Sequence, residues 1–225
     1  MRGSVTFRAV IFDMDGILID SEPVIRAAAQ LAALELERTV SDDFYASVIG
    51  LPGAQVETAF MQEFGADFPL ADFRQRFERH YREQVSTRGI APKPGVPALL
   101  DTLTARGVPI AVATSTRAGN AQSALAAAGL LPWLPVRVTG DQVQQGKPAP
   151  EIFLAAAARL GIPASHCIAV EDSEVGARAA VAAGMFTLLV PDLKPPSAEL
   201  AAMVSEVLAS MPLAASRILH LLAHP

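Results

Sequence analysis

Short, unbroken apolar runs alternate along this chain with longer stretches in which apolar positions return every three to four residues. The runs Ala9–Asp13, Pro109–Thr114, Val136–Thr139, Cys167–Glu171 and Phe186–Val190 have the length and β-branched content of buried strands. Between most of them lie Ala/Leu-rich segments with helical periodicity, at Ala118–Ala128, Ala149–Leu160 and Val175–Ala183. Continuous apolar strands separated by helices predict a parallel sheet covered on both faces, an α/β, Rossmann-like doubly wound core. In such sheets ligands bind beyond the carboxyl ends of the strands.

One region breaks the rhythm. From Glu22 to Ile90 no convincing strand is visible, and Pro23–Glu37, Gln55–Phe64 and Leu70–Val85 read as helices. Pro92, Pro94, Gly95 and Pro97 then punctuate the return to the strand pattern. The pattern predicts an all-helical domain over residues 22–90, inserted into a core made of residues 1–21 and 91–225. Helices around Ala198–Leu222 are expected to pack on the core or on a neighbour.

Composition narrows the classes. With 225 residues, 51% of them hydrophobic, the chain can bury a full core. A net charge of −5 with only Lys93, Lys147 and Lys194 as lysines offers no basic stretch to follow a phosphate backbone, so no nucleic-acid partner is expected. Arg2 precedes no signal-type apolar segment before Asp13. The longest apolar stretch, Ala124–Val138, is interrupted by Gly129, Pro132, Pro135 and Arg137, so no membrane association is expected either. A soluble cytoplasmic protein is the expectation. The single cysteine, Cys167, lies inside a strand and reads as a core residue.

The polar residues are informative by where they fall. The first strand ends in Asp13-Met14-Asp15-Gly16, two carboxylates one residue apart at the tip of a buried element. Charge in such a place needs compensation, for which a divalent cation serves, and the glycine permits the turn that aims both groups at one point. The second strand ends in Thr114-Ser115-Thr116 and a later one in Glu171-Asp172-Ser173, with the isolated Gly146-Lys147-Pro148 between them. Four segments thus bring carboxylates, hydroxyls and one ammonium to the same edge of the sheet. The string Gly140–Lys147 is not a nucleotide-binding P-loop, because five residues separate its glycines and Pro148 replaces the metal-binding hydroxyl. No G-x-G-x-x-G joins a strand to a helix, so no dinucleotide is expected.

In order and placement these four segments resemble the motifs of the haloacid dehalogenase-like superfamily. The likeness covers nearly the whole chain. The helical insert is similar to the α-helical cap of the branch that holds β-phosphoglucomutase and phosphoglycolate phosphatase. The string from Asp13 to Pro23 is especially close to that branch's small-molecule phosphatases. The resemblance implies an enzyme acting on a small phosphorylated metabolite through an aspartyl-phosphate, with Asp13 as nucleophile and Asp15 as general acid and base. It implies Mg²⁺ bound by the Asp13 carboxylate, the Asp15 carbonyl and Asp172, with Glu171 a ligand or a partner of the ligands. Oxygen ligands suit that ion. Thr114 and the Ser115 amide would bind the phosphoryl oxygens, and Lys147 would stabilise charge on Asp13 and phosphate. His80, His166, His220 and His224 show no metal-type spacing and read as surface or packing residues.

Within the family, Asp15 argues against a dehalogenase, and the absence of lysine between Glu22 and Ile90 argues against a phosphonatase. A mutase must hold a second phosphate. Ile25 stands here where the mutase cap has a histidine, and Ile49–Gln55 carries no cation. A phosphatase for sugar or polyol phosphates is therefore preferred to a mutase, and both to an inactive binding module, since no motif residue is missing. Residues Gly50–Val56 and those after Asp20 are expected to line the leaving-group pocket. The cap is expected to hinge near Asp20–Glu22 and Ile90–Pro94.

Overall fold

The computed structural model describes residues 6–51 and 53–223. Arg2, Pro52 and His224, each part of the sequence reading, lie outside the described residues. The elements, in chain order, are β1 (Ala9–Phe12), β2 (Ile19–Asp20), α1 (Glu22–Leu34), α2 (Asp42–Val48), α3 (Gly53–Phe64), α4 (Leu70–Arg88), β3 (Ala91–Pro92), α5 (Val96–Ala105), β4 (Ile110–Thr114) and α6 (Ala118–Ala127). They continue with β5 (Val136–Thr139), α7 (Glu151–Leu160), β6 (Cys167–Glu171), α8 (Glu174–Ala182), β7 (Phe186–Leu189), α9 (Ala198–Met203), β8 (Glu206–Val207) and α10 (Met211–Ala223). Contacts divide the chain into two compact units, one from the residues up to Asp20 together with those from Ala91 onward, the other Ser21–Ile90.

The first unit is built on a six-stranded sheet in the order β5-β4-β1-β6-β7-β8, every neighbouring pair parallel. Every residue of β1, β4 and β6 is buried, as strands covered on both faces must be. Side-chain alternation sorts them: Ala9, Ile11, Ala111, Ala113 and Ala169 meet Ile152, Phe153 and Ala156 of α7 and Ala179 and Ala180 of α8 in one cluster. The alanines leave room for the bulk of Phe153. On the far side of β7, Leu189 packs with Ala177, Leu200 and Val204.

Three short strands of this unit escape sequence inspection. The predicted C-terminal helical region contains a strand, β8, between α9 and α10. β2 and β3 pair antiparallel, Ile19 opposite Pro92 and Asp20 opposite Ala91, so the chain leaving for the helical unit and the chain returning from it run side by side. The Lys93 amide donates to Leu18 O at 2.9 Å, and its ammonium meets Asp192 at 2.5 Å.

The second unit consists of α1 to α4, and among its described residues there is no strand. Helix α2 adds a fourth helix to the three whose bounds the sequence pattern predicts. It starts at Ser41, whose hydroxyl accepts from the Phe44 amide at 3.1 Å. Helix α1 stops at Leu34, short of the expected Glu37, which takes a left-handed φ of 58°. The core is aromatic: Phe60 lies 4.6 to 5.9 Å, centroid to centroid, from Phe44, Phe64, Phe68 and Phe73. At the end of α1, Glu35 takes Arg76 at 2.7 Å and Arg79 at 2.5 Å, both from α4, with His80 at 3.0 Å.

Hydrogen bonds from Arg76 and then Arg79 pull the Glu35 carboxyl from its ordinary 4.5 down to about 2. A depressed carboxyl stabilises the fold above its unfolded value and loses that contribution as pH falls toward the folded one. Glu35→Gln is therefore expected to lower the thermal midpoint at neutral pH. The difference from wild type should shrink between pH 4.5 and about 2, as followed by circular dichroism. An unchanged midpoint at neutral pH would show that these exposed pairs contribute nothing.

Candidate active site

Asp13 follows β1 directly. Its amide extends the ladder one residue past the strand, donating to Val170 O at 2.9 Å, which fixes the residue at the carboxyl edge of the sheet. The chain then turns at Gly16, with φ of 78°. A Cβ there would lie 2.2 Å from Asp172 Oδ2, so glycine is required both by the turn and by the approach of that carboxylate.

Glu171 ends β6 and is fully buried. Its Oε2 accepts from the amides of Asp172 and Ser173 and from the Ser173 hydroxyl, each at 3.0 Å. Ser173 also caps α8 by accepting from the Gly176 amide. Glu171 Oε1 receives Lys147 Nζ at 2.5 Å, and the same ammonium lies 2.5 Å from Asp13 Oδ1. Lys147 stands over the Phe153 ring, 5.3 Å from its centroid. Its loop is pinned by Glu151, at the first turn of α7, which accepts from the amides of Gln144 and Gln145 at 2.9 and 2.7 Å. Residues 13, 147, 171 and 172 are thus brought together at one edge by three separate segments.

Burial dominates the electrostatics. It pushes the Asp13 carboxyl from 3.8 up to about 7; Lys147 opposes the shift, while Glu171 and Asp15 add to it. Burial likewise raises Asp172 well above the ordinary carboxylate range, with Glu171 and Asp13 adding to the effect. For Lys147 burial works against the charge, yet Asp13 and Glu171 together hold the ammonium above its ordinary value.

One ammonium faces three acidic side chains. Asp13, Glu171 and Asp172 each offer an oxygen within 4.8 Å of the others, the one such group of potential metal ligands among the described residues. Buried carboxylates crowded closely enough to raise one another's proton affinity fit a divalent cation, and an all-oxygen donor set suits a hard one. The Asp15 carboxylate stands apart from this group, with its Oδ2 accepting from Thr116 Oγ1 at 2.8 Å.

The hydroxyl loop follows β4. Thr114 is buried, with its Oγ1 accepting from the Thr116 amide at 3.1 Å, whereas Ser115 is exposed. Gly140 backs this loop so closely that a Cβ would lie 2.2 Å from Ser115 O. Sequence reasoning assigned no role to residues 116, 140 and 176. For Gly176, an unfavourable glycine inside a helix was the available signal of a close approach. Thr116 was visible only as part of the strand-end hydroxyl run and Gly140 only within the rejected P-loop string, because the partner of each, Asp15 and Ser115, lies far off in sequence.

A parallel sheet carrying an acidic cluster and a single lysine at its carboxyl edge defines a class that comparison with known proteins makes specific. The model of the haloacid dehalogenase-like hydrolases matches residues 7–184. The chain belongs to that family, within its branch of phosphoric monoester hydrolases. It is 32% identical over 177 residues to the phosphorylated carbohydrates phosphatase of Thermotoga maritima, covering 79% of this chain and 82% of that protein. It is 33% identical over 188 residues to hexitol phosphatase A of Escherichia coli, covering 81% and 82%. A solved structure of a CbbY variant from Rhodobacter sphaeroides in complex with xylulose-(1,5)bisphosphate superposes with a TM-score of 0.79 at 26% identity, over 92% of this chain and 95% of that one.

Proposed function

We propose that this protein is a magnesium-dependent phosphatase that hydrolyses small phosphorylated sugars or polyols through an aspartyl-phosphate on Asp13. The observation that carries the reading is the Lys147 ammonium held between Asp13 and Glu171 at 2.5 Å from each, in the wall of an acidic cluster. A phosphate monoester repels nucleophiles, so its hydrolysis depends on positioning and on charge neutralisation. Asp13 is aimed by its strand and attacks phosphorus. Lys147 offsets the charge of attacker and phosphoryl group. Thr114 and the Ser115 amide bind phosphoryl oxygens. Asp15 protonates the departing alkoxide and later takes a proton from the water that cleaves the acyl phosphate. Asp13, Asp172 and the Asp15 carbonyl, with Glu171 as ligand or supporting group, would hold Mg²⁺, which supplies positive charge against the dianionic phosphoryl group.

The named substrates and ligand of the three relatives support a phosphorylated carbohydrate as the substrate class. The helical unit, residues 21–90, serves as the cap in this reading. A panel of hexose, hexitol, pentulose and glycerol phosphates and β-glucose 1-phosphate tests it. Phosphate release is expected in Mg²⁺ and is expected to fall to background in excess EDTA. Release unaffected by EDTA would remove the metal from the proposal. Conversion of β-glucose 1-phosphate to the 6-phosphate with no phosphate release would replace the phosphatase by a mutase.

A further inference from the structure

The Asp15 carboxylate has to act twice at one spot, first giving a proton and then taking one. We propose that Thr116 is a positioning residue that anchors one oxygen of this carboxylate and so dedicates the other to the proton, an inference that rests on the phosphatase reading above. Thr116 Oγ1 donates to Asp15 Oδ2 at 2.8 Å, across 101 residues of chain. Neither partner rests on the other for its backbone. Asp15 is fixed by its own turn, with a bridge to Ile19 and the Gly16 amide donating to Ile19 O at 3.0 Å. Thr116 is fixed from the other side: its amide donates to Thr114 Oγ1 at 3.1 Å and its carbonyl accepts from the Gly140 amide at 3.2 Å. Gly140 is itself wedged against Ser115. A hydroxyl on one rigid loop therefore meets a carboxylate on another.

The chemistry explains why this bond is useful. With the proton on Oδ1, Oδ2 is still a carbonyl-type acceptor; with the proton gone, Oδ2 is a carboxylate oxygen. The Thr116 bond can be made in both states, so the group keeps its direction throughout the cycle. In the first half, the bond from Asp13 to phosphorus forms, the bond from phosphorus to the alkoxide oxygen breaks, and the proton on Asp15 Oδ1 passes to that alkoxide. In the second half, water attacks phosphorus and its proton passes to Asp15 Oδ1. The Asp13–phosphorus bond breaks, inorganic phosphate leaves, and both aspartates are restored.

A positioning role predicts selectivity by leaving group, which a merely structural role does not. An alkoxide needs the proton to leave; p-nitrophenolate leaves as a stable anion without it. kcat/KM reports steps up to the first departure, so it isolates the first half of the cycle. Thr116→Val is expected to lower kcat/KM for a sugar or glycerol phosphate by about 10- to 100-fold, a part of what general acid catalysis supplies. For p-nitrophenyl phosphate the change should stay within about threefold, the spread expected when the removed interaction takes no part in that step. Thr116→Ser keeps the hydroxyl and should restore the alkyl ester. In an Asp15→Asn background, Thr116→Val should cost nothing further.

Equal losses on both esters, no loss on either, failure of Thr116→Ser to restore, or a full additional loss in the Asp15→Asn background would each overturn the inference. Should Thr116→Val fold poorly, Thr116→Ala, which also removes the hydroxyl, takes its place in the comparison of the two esters and in the Asp15→Asn background. Failure of the wild type to release phosphate from any ester would instead overturn the phosphatase reading.

Discussion

Asp13→Asn is expected to lose phosphate release by about ten-thousand-fold or more while the protein folds at least as well as the wild type. An amide has no carboxylate with which to attack phosphorus, so no acyl phosphate forms. The stability half of this expectation follows from the environment. Asp13 is 6% exposed, and burial raises its carboxyl from 3.8 to about 7. A raised carboxyl contributes most below its unfolded value, and the fold loses stability as pH climbs through the folded one. In EDTA the wild type should therefore weaken between pH 3.8 and about 7, whereas the asparagine variant, with no charge to bury there, should weaken less. Above neutrality its thermal midpoint should exceed that of the wild type by several degrees. Lys147 loses one partner in the variant but keeps Glu171 at 2.5 Å. Calorimetric scans of both proteins across this range, beside phosphate assays, check both halves. An active Asp13→Asn protein would exclude this nucleophile, and a variant less stable above neutrality would mean that the Lys147 pair outweighs the burial of charge.

Gly176→Ala should be nearly as damaging, although the residue has no chemistry of its own. A Cβ on Gly176 would stand 1.7 Å from Glu171 Oε1 and 2.0 Å from its carboxyl carbon. Glu171 is fully buried and cannot swing into solvent. Either α8 shifts, or the carboxylate leaves two backbone amides, the Ser173 hydroxyl and Lys147. Overpacking costs about 1–3 kcal/mol, and breaking a buried ion pair costs about 3–5 kcal/mol. A loss of roughly 3 kcal/mol or more in denaturant unfolding is expected, with Mg²⁺ binding by titration calorimetry weakened at least about tenfold. Gly119→Ala in α6 is the control: nothing lies within 4 Å of its added methyl, so stability should hold or rise. Wild-type metal binding in Gly176→Ala would show that Glu171 has no part in the cation site.

The contrast between these two positions shows what a sequence can convey. Asp13 is visible because a strand of four consecutive buried apolar residues ends in charge, a local pattern with a physical cost. The placement of Glu171 and Asp172 at the end of β6 was legible for the same reason, whereas Lys147, in a loop, was marked only by its isolation and by the family resemblance. So were β1, β4, β5, β6 and β7, whose runs are continuous and whose ends differ from expectation by at most one residue. β2, β3 and β8 have two residues each, too few for any periodicity, and form only where another segment supplies the hydrogen-bonding partner. Gly176 and Thr116 matter through contacts that only the folded chain makes, one local and one distant. For Thr116 the decisive 2.8 Å lies across 101 residues, and for Gly176 the 1.7 Å comes from the way the turn after β6 folds Glu171 back against α8.

The strand order also dictates a timetable for biosynthesis. β1 is made first, yet it sits in the middle of the sheet, between β4 and β6, both made later. At about 5–20 residues per second, a ribosome delivers Glu171 roughly 10–30 seconds after Asp13. Through that interval the apolar strand lacks its second neighbour, and the carboxylates that make up the acidic cluster are not yet on the same molecule. The helical segment 21–90, whose aromatic core draws only on nearby sequence, emerges in the meantime and can be complete before the sheet closes. The acidic cluster can therefore assemble only after β6 has emerged, and a ribosome stalled before β6 holds a nascent chain whose β1 still lacks one of its two neighbours.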